Sequence, residues 1–126
     1  MNRIFVYGTL KSDHFRHSSY LDGAQSIGPA TIEGFTLYSV NGRFPAAIRT
    51  EGKQVKGEVY DVDDATVRRL DYLESNGDMY NREQVQTEHG LAWVYVMTKE
   101  FHDECDGGDG LSPAIGESWE HSHYVR

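Results

Sequence analysis

The chain has 126 residues, 38% of them hydrophobic with 13 glycines besides, which is ordinary usage for one domain around one core and argues against disorder throughout. Twelve basic against twenty acidic residues give a formal charge of −8, which argues against nucleic acid or an anionic membrane as the main partner, since those need clustered Lys and Arg. No stretch approaches the roughly 20 apolar residues that span a bilayer, the first apolar run stops at Gly8 without forming a signal segment, and Cys105 has no second cysteine to pair with, so a soluble, reducing compartment such as the cytoplasm is expected.

The first predicted element is a strand over residues 3–7. Arg3, Phe5 and Tyr7 alternate there with Ile4 and Val6, and β-branched and aromatic residues suit a pleated, half-buried surface. Gly8 then permits a sharp change of backbone direction. Backbone N–H groups turned inward at such a strand end form a small anion-binding concavity, suited to a substrate carboxylate or a developing oxyanion. The alternative is a plain strand that ends at a glycine turn. A weaker helical pattern covers 12–21, and strands follow around 30–38, at 46–48 and at 54–61.

One helix is well marked over 64–74: Asp63 is its N-cap, acidic residues crowd its first turn, and Gly77 follows its end. Strands at 80–87 and 91–98 flank Glu88-His89-Gly90, which reads as a hairpin connection. In the second of these, Trp93, Tyr95 and Met97 alternate with Ala92, Val94 and Val96. Both faces are apolar, as in a central strand covered on both sides. Many strands, few helices and no strict α/β alternation indicate an α+β fold whose antiparallel or mixed sheet is curved or barrel-like. The polar tail over about 100–126 is expected to cover one end of the sheet or to stay mobile, within a single domain spanning 1–126.

One residue breaks the helix pattern. At about 100° per residue, Leu70 lies roughly −60° and Glu74 roughly −20° from Val67, so Glu74 shares the apolar side. A carboxylate there is desolvated and sits at the negative end of the helix dipole, and both effects push its pKa upward. A carboxyl group moved toward neutrality can take a proton and return it, which is the profile of a general acid/base. The competing reading is a helix end rotated into solvent, or paired with Arg82.

Phe5-Val6-Tyr7-Gly8-Thr9-Leu10-Lys11 resembles the opening signature of the gamma-glutamylcyclotransferase-like proteins, especially the small branch that includes gamma-glutamylamine cyclotransferase. Phe44-Pro45-Ala46-Ala47-Ile48 is similar to that family's aromatic-proline segment, and Val55-Lys56-Gly57-Glu58-Val59-Tyr60 to its Val-x-Gly-Glu-Val-Tyr strand. Leu70-Asp71-Tyr72-Leu73-Glu74 followed by Met79-Tyr80-Asn81-Arg82 resembles its Leu-Asp-x-x-Glu…Tyr-x-Arg block. Ala92-Trp93-Val94-Tyr95-Val96 and Gly116-Glu117-Ser118-Trp119 fit the ending of bacterial members. The stretch Asp103-Glu104-Cys105-Asp106-Gly107-Gly108-Asp109-Gly110 departs from the pattern.

The resemblance implies a small, distorted mixed β-barrel with flanking helices, and a pocket where the opening turn faces the helix-end glutamate. It makes Glu74 the catalytic residue, and Tyr7, Gly8, Thr9 and Leu10 the substrate-binding turn. It implies intramolecular aminolysis of a small-molecule γ-glutamyl substrate, with release of 5-oxoproline and an amine and with no cofactor or metal. A non-catalytic module that binds a γ-glutamyl or amino-acid-like ligand is the alternative.

Two other chemistries fit less well. His102, Asp103, Glu104, Cys105, Asp106 and Asp109, with His121 and His123 beyond, match neither a zinc pattern nor an EF-hand loop, and read as a solvated acidic loop. Cys105 sits among acids that raise a thiol pKa, the wrong direction for a nucleophile.

Overall fold

The computed structural model describes residues 2–7, 21, 24–40, 44–73, 80–98 and 111–116. In chain order these form β1 (Asn2–Val6), β2 (Gln25–Val40), β3 (Phe44–Val62), α1 (Asp64–Leu73), β4 (Tyr80–Thr87), β5 (Gly90–Met97) and β6 (Leu111–Gly116). The strands make one sheet in the order β4-β5-β1-β3-β2-β6, with a further pairing of β3 to β5. β1 runs antiparallel to β3 and parallel to β5, so the sheet is mixed, as expected. The helical pattern over 12–21 lies outside the described residues except for Leu21, which is buried.

Two features curl the sheet. The β2–β3 register shifts between Glu33 and Phe35, where Gly34 has φ +87°. A positive φ at a bulge suits glycine, and a bulge increases the local bend and twist of its strand. The tip of the β4–β5 hairpin then reaches back to β2. The Thr31 N–H donates to Glu88 Oε1 at 2.9 Å, and the His89 ring lies 2.9 Å from the Pro29 carbonyl oxygen through Nε2. Arg3 ties the same tip to β1 by donating to the His89 carbonyl, while its other edge pairs with Asp61 at 2.9 Å.

Side chains alternate between two cores. Phe5 of β1 and Tyr7 just beyond it, Val55 and Val59 of β3, and Ala92, Val94 and Val96 of β5 join one cluster with Ala30, Ile32, Phe35 and Leu37 of β2. Ile4 and Val6, Tyr60 and Val62, and Tyr95 and Met97 join the other, which carries α1 through Val67 and Leu70. The apolar residues on both faces of β1 and β5 are thus explained by their central positions and by a layer on each side.

The helix starts where the sequence places it. Asp63 Oδ1 accepts from the Thr66 N–H at 2.8 Å, the usual side-chain cap for an orphan donor of the first turn. The strands differ from expectation in extent. Residues 46–48 and 54–61 belong to one strand, with the expected gap falling where the pairing passes from Phe35–Arg49 to Glu33–Gln54. Residues 111–116 of the expected tail form β6, which adds an edge to β2.

Candidate functional site

Of the five residues that the sequence assigns to the site, Tyr7 is described. Gly8, Thr9, Leu10 and Glu74 lie outside the described residues, as does the acidic stretch over 102–109. The elements that lead into the two halves of the site are nevertheless defined. β1 ends at Val6 beside Tyr7, and α1 runs to Leu73, the residue before Glu74 in the chain.

Tyr7 is buried, and its hydroxyl lies between two strands. It donates to the Tyr95 carbonyl of β5 at 2.7 Å and accepts from the Ala47 N–H of β3 at 3.2 Å. The neighbouring residue pair in that ladder is Ala47 with Val96. The phenol thus acts as a rung between β3 and β5 where β1 departs. Buried polar groups of this kind are costly to leave unpaired, so the hydroxyl pins Tyr7 between β3 and β5.

Gly57 of β3 serves the same point. A Cβ there would overlap the Val6 carbonyl oxygen and stand 2.7 Å from Phe5 Cζ. Glycine is required because the end of β1 passes over this backbone at close range, which gives the glycine of the Val-x-Gly-Glu-Val-Tyr segment a physical reason.

The last turn of α1 is held by a separate set of polar contacts. Arg82 of β4 grips Asp71 with two prongs, Nε to Oδ1 at 3.0 Å and Nη2 to Oδ2 at 3.3 Å. Tyr95 of β5, only 4% exposed, donates its hydroxyl to the same Oδ1 at 2.6 Å. Arg82 and Tyr95 are directly opposed in the β4–β5 ladder, and the guanidinium lies 4.3 Å from the centre of the Trp93 ring. A planar guanidinium suits both the carboxylate fork and the aromatic face. Arg82 was a conceivable partner of Glu74 on sequence grounds, and it makes this two-pronged contact with Asp71.

Sequence reasoning did not single out Asp71, Arg82 and Tyr95 as a unit. Two of them stand in the Leu-Asp-x-x-Glu…Tyr-x-Arg block, but only the fold shows that they share a carboxylate with Tyr95. Tyr95 consequently touches Tyr7 through its carbonyl and Asp71, in the last turn of α1, through its hydroxyl.

The family model described as gamma-glutamyl cyclotransferase, AIG2-like matches residues 4–120. The chain is 43% identical over 97 residues to the gamma-glutamylcyclotransferase family protein YtfP of Escherichia coli K12, which covers 77% of this chain and 83% of that protein. The crystal structure of PH0828 from Pyrococcus horikoshii is similar with a TM-score of 0.69 and 31% identity, covering 98% of this chain and 90% of that one. An AIG2-like protein from Mus musculus gives a TM-score of 0.72 and 28% identity over 95% of this chain and 88% of that one. Fold, ordered motifs and relatives agree, and the chain belongs to the gamma-glutamyl cyclotransferase, AIG2-like family.

Proposed function

We propose that the chain is a gamma-glutamyl cyclotransferase acting on small γ-glutamyl amides. The free α-amine of the γ-glutamyl group attacks its own γ-carbonyl carbon, and a new C–N bond closes the five-membered lactam. The C–N bond to the departing amine then breaks, which yields 5-oxoproline and that amine. No group is transferred to the protein, and the atoms balance without a co-reactant.

Glu74 is assigned the proton traffic. It removes a proton from the attacking α-ammonium group and delivers one to the leaving nitrogen, a role of general acid/base type. The backbone N–H groups of residues 8–10 are assigned to an anionic oxygen of the substrate, either the tetrahedral oxyanion or the α-carboxylate. Tyr7 belongs to this substrate-binding segment, and its contribution is to fix where the turn begins. Ring closure within one bound molecule depends mainly on holding a near-attack geometry, so a rigid frame is the main demand on the protein.

The observation that supports this reading best is the convergence on Tyr95 of the two segments that flank the proposed site. Membership of the family, with Glu74 retained in its Leu-Asp-x-x-Glu block, supplies the reaction class.

The test is a panel of γ-glutamyl peptides, polyamine amides and ε-lysyl amides, assayed for 5-oxoproline. The wild-type chain should release 5-oxoproline from at least one of them. Glu74→Gln should fold normally and lose about 10²–10⁴-fold in rate. A wild-type chain that binds γ-glutamyl amides by calorimetry and releases no 5-oxoproline would establish a binding module instead.

A further inference from the structure

We infer that Tyr95 is a positioning residue that joins the two halves of the proposed site, and that Asp71 and Arg82 complete the joint. This inference rests on the cyclotransferase reading for its effect on rate, but its geometry stands apart from that reading. One residue of β5 holds the end of β1 and the last turn of α1 at once. Its carbonyl accepts from Tyr7 at 2.7 Å, and its hydroxyl donates to Asp71 at 2.6 Å.

Each contact sits close in sequence to the group it would orient. Tyr7 immediately precedes Gly8, and Asp71 lies three residues before Glu74. Tyr95 is 4% exposed and belongs to the same buried cluster as Val6, Leu70 and Tyr80, so its side chain has little room to move. Arg82 keeps Asp71 facing β5 by gripping both of its carboxylate oxygens, and Arg82 is itself seated on Trp93. The Tyr95 hydroxyl therefore acts on catalysis through the helix end, by way of Asp71.

The decisive variant is Tyr95→Phe in the full chain. It keeps the ring in the core and the carbonyl bond to Tyr7, and removes the bond to Asp71. We measure kcat and KM with an amide that the wild-type chain turns over, and native-state amide hydrogen exchange across the protein. The expected result is a fall in kcat of about 10–100-fold with KM changed by less than about 3-fold, since an orientation needed in the transition state is lost while ground-state binding remains. Exchange over residues 70–73 should rise, while residues 30–37 of β2 exchange as before.

A kcat within about 2-fold of wild type, or unchanged exchange over residues 70–73, overturns the inference. If the wild-type chain cyclises no substrate, the functional reading fails by itself and the exchange measurement alone decides the joint. Should Tyr95→Phe not fold, Asp71→Ala takes its place, since it removes the acceptor of the Tyr95 hydroxyl, with the same expected rise in exchange and the same overturning result.

Discussion

At Gly57 the end of β1 passes so close to β3 that no side chain fits between them. Gly57→Ala would press a methyl group against the Val6 carbonyl and the Phe5 ring, and backbone cannot yield as a flexible side chain does. The expected loss is about 1–3 kcal/mol, the usual scale for overpacking a filled interior. Urea unfolding with unchanged m-value would measure it, and a midpoint equal to wild type would refute the steric account. A strand glycine in the sequence signals a close backbone approach or a bulge without saying which. Tyr7 is a similar case. Its alternation with Ile4 and Val6 indicated a buried face, while the destination of its hydroxyl depends on β3 and β5 meeting beside it. Residues 47 and 95 are far from Tyr7 along the chain, and no local pattern encodes that meeting.

The helix shows which parts of an element the sequence makes readable. Its N-cap, its period and its buried face follow from local rules, and α1 begins at Asp64 with Val67 and Leu70 buried. Leu70 is fully buried at 0% exposure, whereas Tyr72 two positions on is 88% exposed. Leu70→Ala should therefore cost about 2–5 kcal/mol, while Tyr72→Ala stays within about 0.5 kcal/mol of wild type. Thermal unfolding of the two variants side by side checks this, and equal losses would mean that α1 does not dock through Leu70. The strands were less readable at their ends. β3 runs through its bulged middle because backbone pairing with β2 resumes on either side. β6 was missed for a related reason. Leu111-Ser112-Pro113-Ala114-Ile115-Gly116 has no clean alternation and contains a proline, which edge strands tolerate. Such a strand is defined by the neighbour it pairs with, β2, more than by its own residues.

Among the described residues, three carboxylates hold segments in place, Asp61 on Arg3, Asp63 at the start of α1 and Glu88 on Thr31, and these carry a shared dependence on pH. Asp61 is held below its ordinary value of 3.8, first by the hydrogen bond from Arg3 and then by the charge of that guanidinium. Asp63 is lowered from 3.8 by its hydrogen bonds to Thr66 at the start of α1. Glu88 is lowered from 4.5, mainly by the Thr31 N–H where the hairpin tip meets β2. Each group binds its proton more readily in the unfolded chain. Each therefore adds stability that is complete above its ordinary value and is lost as pH falls through the lower folded value. The formal charge of −8 acts the other way, since mild acidification relieves self-repulsion. The loss from these groups should consequently begin below 4.5, with Glu88, and deepen below 3.8 as the two aspartates follow. Urea unfolding followed by circular dichroism from about pH 7 to about pH 2 gives the profile. Glu88→Gln keeps an acceptor for the Thr31 N–H and removes the titration, so its stability should fall less steeply in the upper part of that window. A Glu88→Gln profile that overlays the wild type would show that the joint between hairpin tip and β2 does not carry the acid sensitivity of the fold.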